Sequence, residues 1–233
     1  MQTKVENSQL EKWKSILSSE AKKEDIVSDY LLKDIDFEYL TFDRNFTAEQ
    51  KKKAVSIVVE CMLNTSIDRI KSLLCYKNAI VEVSPANIPQ FSNFASAAII
   101  VPEILNKTNE PYSYEKLGYF LFSDAKSEAA ATKYGENHGK MAVLLDLAIL
   151  KKENGINVFE SSALTNMYCN LEQDLKMKLL TRLCYRIPII QEAIVTENPQ
   201  KTVENSMQRV LAYSTYMRRK ANTLEVLAFA LEQ

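Results

Sequence analysis

The chain has 233 residues, a formal net charge of −1, 46% hydrophobic residues and 4 glycines. This composition favours helices over a glycine-rich α/β nucleotide fold, and the length allows one substantial core or two small ones. No apolar run approaches the ~20 residues that span a bilayer and the polar opening stretch lacks a signal-peptide core, so a cytoplasmic protein with no membrane partner is expected.

Leu10, Trp13, Ile16 and Leu17 recur at helical spacing and predict an amphipathic helix from Gln9 to about Ser19. Ile26, Tyr30 and Leu31 predict a second. Thr47 reads as an N-cap with Gln50 as its partner three residues on, opening a helix to about Leu63. Thr65 or Ser66 starts the next, through Ile67, Ile70, Leu73 and Leu74. Ala79 to Val83 reads as a strand, after which Pro85 and Pro89 impose an irregular crossover near 84–94. Ala95 to Leu105 predicts a buried helix turned or kinked at Pro102.

From Pro111 the order becomes helix, helix, hairpin. Ser113 caps a helix through Leu117, Phe120 and Leu121, with Lys116 at the third position and therefore no capping box. A second helix spans Glu128 to Leu144, with Ala129, Ala130, Ala142, Leu144 and Leu145 assigned to packing. Leu147 to Lys151, the turn Glu153-Asn154-Gly155, and Ile156 to Glu160 read as two strands of a wing. Beyond it, Glu172 to Tyr185 predicts a helix with Leu175, Leu179, Leu180 and Leu183 inward and Lys176, Lys178, Arg182 and Arg186 toward water. Pro188 resets the chain into a short helix. Val203 through Met217 forms another, and Asn222 or Thr223 starts the last. The expected fold is therefore mainly α: a multi-helix protein containing a winged helix with a short β-hairpin wing. Its regions are 1–108 with the crossover, 111–170 as the winged-helix unit, and 171–233 as a C-terminal helical extension; a degenerate second winged helix over 192–233 is a minor alternative.

Catalytic motifs are sparse. There is no G-x-G-x-x-G, P-loop or G-x-S-x-G. Cys61, Cys75, Cys169 and Cys184 are widely spaced among apolar residues, no CxxC exists and His138 is the single histidine, so reduced core cysteines are expected and no metal site or cofactor. A metal-dependent nuclease would draw on Glu82 with acidic residues upstream such as Asp68, but Glu82-Val83-Ser84 lacks the Asp/Glu-x-Lys ending. No catalytic residue is assigned.

The polar constellation runs from Lys126 to Lys140. Lys133, Asn137 and Lys140 recur at spacings of four and three on one helix. Lys126 and Lys133 are expected on phosphates, Asn137 or His138 on base edges in the major groove, with Tyr134 between them and Gly135 and Gly139 permitting close backbone approach. Arg218 and Arg219, in the run Arg218-Arg219-Lys220, are the candidate backbone clamp. Charge is unevenly spread: Met1 to Gln50 hold 7 basic and 11 acidic residues, Ser161 to Gln233 9 basic and 7 acidic. DNA binding must then use a local face rather than a global field.

The stretch KYGENHGKMAVLLDLAILKK, the following INVFESSALTNMY, the helix LEQDLKMKLLTRLCYRIPIIQEAI and the segment STYMRRKANTLEVLAFAL together resemble the winged-helix DNA-recognition modules attached to type II restriction endonucleases. Arg218, Arg219 and Thr223 match polar positions of the last segment. Leu145-Asp146-Leu147 departs from the family pattern, which places a glycine between the apolar residues. The resemblance covers Pro111 to Gln233 and implies a DNA-recognition component of a restriction-modification type system, binding double-stranded DNA beside a nuclease or assembly partner. The alternatives are a protein-interaction or assembly module that keeps the winged-helix fold, and a metal-dependent nuclease with an unrecognised centre. Oligomeric state, a homo-oligomer included, is left open.

Overall fold

In the computed structural model, residues 2–77 and 82–232 are described, and the chain is mainly helical with one small sheet. Helices α1 (Gln2–Leu17) and α2 (Lys23–Leu31) carry the expected apolar stripes, burying Trp13, Ile16, Val27 and Leu31. A short α3 (Phe37–Phe42) starts where the Asp36 carboxylate accepts the Tyr39 N–H at 2.6 Å. α4 (Ala48–Leu63) opens with the predicted capping box: Thr47 Oγ1 accepts the Gln50 N–H at 3.2 Å, and Gln50 Oε1 accepts the Thr47 N–H at 2.8 Å. These bonds satisfy two amides that a helix start otherwise leaves unpaired. α5 (Ile67–Lys77) follows.

The strand expected over 79–83 lies mostly outside the described residues, and Glu82 and Val83 belong to no strand. The crossover contains a 3₁₀ turn, Pro85–Asn87. A widened π turn, Ser96–Ile100, then leads into α6 (Val101–Thr108). Pro102 explains the widening. It has no N–H to donate, and its ring would crowd the carbonyl four residues back in a regular helix. That carbonyl, on Ala98, instead accepts the Tyr168 hydroxyl at 2.9 Å.

After α6 come β1 (Tyr112–Ser113), α7 (Tyr114–Leu121), α8 (Glu128–Leu144), β2 (Ile149–Glu153) and β3 (Ile156–Glu160). The sheet order is β1-β3-β2 with both pairs antiparallel, Tyr112 opposite Phe159 and Lys151 opposite Val158. Asn154 and Gly155 take φ of +49° and +84°, the left-handed pair that a two-residue hairpin turn requires. The α7 cap at Ser113 and both α8 bounds are as expected; β2 starts two residues later than its predicted Leu147. Gly118 and Gly135 seat α7 against α8. A Cβ on Gly135 would meet the Tyr114 carbonyl oxygen at 2.0 Å, and one on Gly118 the Ala131 carbonyl oxygen at 1.8 Å.

The remaining helices are α9 (Thr165–Cys169), α10 (Gln173–Cys184), α11 (Pro188–Ile194), α12 (Pro199–Val210) and α13 (Tyr213–Leu231). The single helix expected over Val203 to Met217 is broken at Leu211, whose backbone is extended. α13 then runs without interruption through Asn222 and Thr223, where a new start was expected.

Two cores result. The larger joins α1–α4 to α10–α13, so the first and last thirds of the sequence pack as one body. The smaller holds Val101, Leu105, Tyr112, Leu117, Ala142, Ala148 and Phe159. Asp146, just after α8, ties the end of that helix to the larger core: its carboxylate accepts hydrogen bonds from the Tyr30 hydroxyl and from the Arg186 guanidinium. The same guanidinium lies 4.4 Å from the centre of the Tyr30 ring and reaches the Ile35 carbonyl at 3.3 Å. Arg186, Arg182 and Lys176 are therefore buried rather than turned to water, while Leu175 is exposed. Lys176 faces Glu103 at 3.6 Å. The four cysteines are free, but Cys75 is exposed instead of belonging to the core.

Candidate nucleic-acid interface

α8 is held by its cap and by its glycines. The Ser127 hydroxyl accepts the Ala130 N–H at 3.2 Å. Gly135 lies against α7, and a Cβ on Gly139 would enter the Phe159 ring at 2.1 Å. Both glycines permit close approach, but to neighbouring elements of the fold rather than outward. Ala131, Met141 and Ala142 make the packing contacts, whereas Ala129 and Ala130 are exposed and Leu144 is half-buried.

The outer side of α8 carries Lys133 and Lys140, both exposed, with Glu136 between them. Glu136 Oε2 accepts from Lys133 at 2.7 Å and Oε1 from Lys140 at 2.6 Å. Burial raises the Glu136 pKa, yet hydrogen bonds from the two lysines outweigh it and hold the carboxyl below its ordinary value. One carboxylate thus partly neutralises two cations, of which Lys133 was expected on phosphates.

His138 is buried, with 1% of its surface exposed. Its Nδ1 donates to the Tyr134 carbonyl at 2.8 Å, which leaves Nε2 as an acceptor 3.4 Å from the Ser92 amide. The ring stacks on Tyr134 with centroids 3.9 Å apart. Burial drives its pKa down, against the opposing effect of the Tyr134 carbonyl. This side chain holds the crossover and is not presented to a groove.

α13 holds the same crossover from the other side. Arg219 donates to the Pro85 carbonyl at 2.9 Å and to that of Ile88 at 3.4 Å, and Asn222 donates to the Phe91 carbonyl at 2.6 Å. Burial, then the neighbouring Arg218 charge, lowers the Arg219 pKa. Arg218 itself is exposed.

Two clefts flank the strap formed by Pro85 to Ser92. One, of about 340 Å³, is lined by Lys133, Glu136, Asn137, Lys140 and Arg219. The other, of about 380 Å³, is lined by Lys133, Tyr134, Asn137, His138, Arg218 and Asn222. Asn137, half-buried, belongs to both. Seven of the residues selected from sequence therefore meet around one strap, although some 80 positions separate the two groups. Lys126 is exposed ahead of the α8 cap and lines neither cleft. Asn222 was passed over as a helix start, and the strap carbonyls carry no side-chain signal at all. Among the described residues, no three His, Cys, Asp or Glu side chains converge in a way that could hold a metal ion. Nor is any described helix long and apolar enough to cross a membrane.

Comparison of the chain with protein-family models, with curated proteins and with solved structures gave no match.

Proposed function

We propose that this chain binds double-stranded DNA and serves as a recognition component whose nuclease, if the restriction-system resemblance carries over, resides in a partner chain. The observation that carries the reading is the convergence of Lys133, Asn137 and Lys140 on α8 with Arg218 and Arg219 on α13 around the Pro85 to Ser92 strap. Within the unit expected over 111–170, the order β1, α7, α8, β2, β3 with sheet order β1-β3-β2 supports the winged-helix reading, α8 being its second, groove-facing helix. Exposed Lys133, Lys140 and Arg218 suit phosphates, and the Asn137 amide suits an adenine edge.

The test is selection of the purified protein against a random duplex library at two salt concentrations. Enrichment of one short motif that persists at the higher salt supports a sequence-reading protein. Failure of the folded protein to retain DNA at low salt refutes the proposal.

A second reading, docking of a protein partner, is favoured by the aromatic group at the end of α7. Tyr119, Phe120 and Phe122 are 41%, 61% and 41% exposed, an apolar surface of the kind that marks interaction sites. The half-burial of Asn137 favours it too, because a side chain covered by the fold reads bases less readily. Capture of a defined partner, lost on Phe120→Ser, would favour this reading over the first.

A further inference from the structure

A cleft of about 800 Å³, larger than either cleft at the strap and sharing no residue with them, opens between α4, the end of α6, the segment after β3, and α9. Its volume falls within the range of about 300–1,000 Å³ typical of small-ligand sites. Hydrogen bonds tie its walls to one another. Thr41 Oγ1 accepts the Ala163 N–H at 2.7 Å, the Thr41 carbonyl accepts from Lys51 at 2.7 Å, and Asn166 Nδ2 donates to Asn106 Oδ1 at 3.1 Å. The cleft is thus built by the fold itself, as small-molecule sites mostly are.

Its lining is divided by chemistry. Lys51 and Lys52 come from α4, Asn106 and Asn109 from the end of α6, and Asn166 and Asn170 from α9 and its cap. Val55, Met167 and Leu171 add apolar surface, and no aspartate or glutamate lines the cleft. None of the ion pairs among the described residues involves Lys51 or Lys52. The Thr41 carbonyl takes one of the three Lys51 protons and leaves its charge in place. Outside the lining, Asp43 feels that charge: burial raises the Asp43 pKa, but hydrogen bonds from Tyr39 and Asn45, and last the Lys51 cation, hold it below its ordinary value. Lys52 is exposed. On the amide side, Asn106 uses its carbonyl on Asn166 and keeps its Nδ2 donor; Asn170 donates its Nδ2 to the Asn166 carbonyl at 2.7 Å and keeps its Oδ1 acceptor. Ser161 Oγ, in the same wall, is enclosed with no hydrogen-bond partner among the described residues, a polar atom left unmet by the fold.

We propose that this cleft binds a small phosphorylated sugar, free or as part of a nucleotide, with its phosphate on Lys51 and Lys52 and its hydroxyls on Asn106, Asn166 and Asn170. Lysine ammonium groups suit a phosphate as point charges. Side-chain amides, each offering donors and an acceptor, suit hydroxyls that need both. The helix ends agree with this orientation: α4 begins at the cleft and α6 ends there, so one end favours an anion and the other favours hydrogen-bond donors. A compact ligand is favoured over an extended chain because the polar groups converge from three segments on one bounded volume. The inference is independent of the DNA-binding reading, whose residues lie at the strap.

The experiment is calorimetric titration of the full chain with inorganic phosphate, adenosine, ribose-5-phosphate and adenosine monophosphate. One or both of the phosphorylated sugars are expected to bind on the order of tenfold more tightly than phosphate or adenosine. Equal affinity for the two identifies the sugar phosphate as the recognised unit, and preference for the nucleotide adds a base contact. Lys52→Gln and Asn166→Ala are each expected to weaken that binding on the order of tenfold, with thermal melting to confirm that both variants are folded. Lys52→Gln is expected also to reduce the dependence of affinity on ionic strength, which Asn166→Ala leaves in place. Binding of neither phosphorylated sugar at about 1 mM overturns the proposal. So does phosphate that binds as tightly as they do, or an affinity that both variants leave unchanged.

Discussion

The Tyr30 hydroxyl donates a 3.0 Å hydrogen bond to Asp146 Oδ2 across 116 residues of sequence. Asp146 adopts φ of +58°, a conformation that costs an L-residue roughly 1–2 kcal/mol and glycine almost nothing. The left-handed corner after α8 thus carries a side chain, which binds Tyr30 and Arg186.

Removing Arg186 would leave the Asp146 carboxylate without its cationic partner in a mostly enclosed site. Arg186→Met is expected to cost about 3 kcal/mol, and Tyr30→Phe about 1 kcal/mol, in urea unfolding. Asp146→Gly is expected to cost less than Asp146→Ala by about 1 kcal/mol, because glycine relieves the backbone. An Arg186→Met protein as stable as the wild type would show that this junction does not hold the end of α8 to the larger core.

Gly135 has backbone on its open side, the Tyr114 carbonyl oxygen, so an added methyl cannot be absorbed by turning a side chain. Gly135→Ala is expected to destabilise by about 1–3 kcal/mol despite the better helix propensity of alanine. Thermal melting checks this, and a raised melting temperature would contradict the close packing of α7 on α8.

His138 is neutral in the fold because burial lowers its pKa from the ordinary 6.5. Below that value the unfolded chain takes up a proton that the folded chain resists, so stability falls as pH drops from about 6.5 toward the lowered folded pKa, and the contribution is fully present only above about 6.5. His138→Gln is expected to flatten this part of the profile of melting temperature against pH. Identical slopes for both proteins between pH 7.5 and 5.5 would remove His138 as the cause.

Glu136 accepts from both Lys133 and Lys140. These pairs are partly exposed, so Glu136→Gln is expected to change stability by less than about 1 kcal/mol. It releases two cations on the candidate face. Affinity for duplex DNA is expected to rise and its salt dependence to steepen, as titration at several ionic strengths would reveal; unchanged affinity argues that α8 does not approach the phosphates.

The features legible in the sequence were those decided within a few residues. Thr47 with Gln50, Ser113 as a cap, the bounds of α8 and the Asn154-Gly155 turn each follow from local backbone chemistry. β1 is two residues long and has no alternation to detect; its existence depends on pairing with β3. The break at Leu211 carries no glycine or proline, since the apolar spacing runs past it and packing on α11 decides it. Of the candidate site, the residue choice was legible and its geometry was not. His138 and Arg219 look like available polar groups until the backbone of Pro85 to Ser92, 46 or more positions away, supplies their partners.

The larger core makes an order of events during synthesis. Gln191 donates to the Leu31 carbonyl across 160 residues, so α1 to α4 leave the ribosome well before α10 and α11 exist. At ~5–20 residues per second that interval is on the order of ten seconds. Through it, Trp13, Val27, Leu31 and Val58 have no finished surface to cover them, whereas α7 and α8 find each other within one short stretch of chain. The middle unit, completed first, would hold the chain compact until the last helices arrive to close over the first.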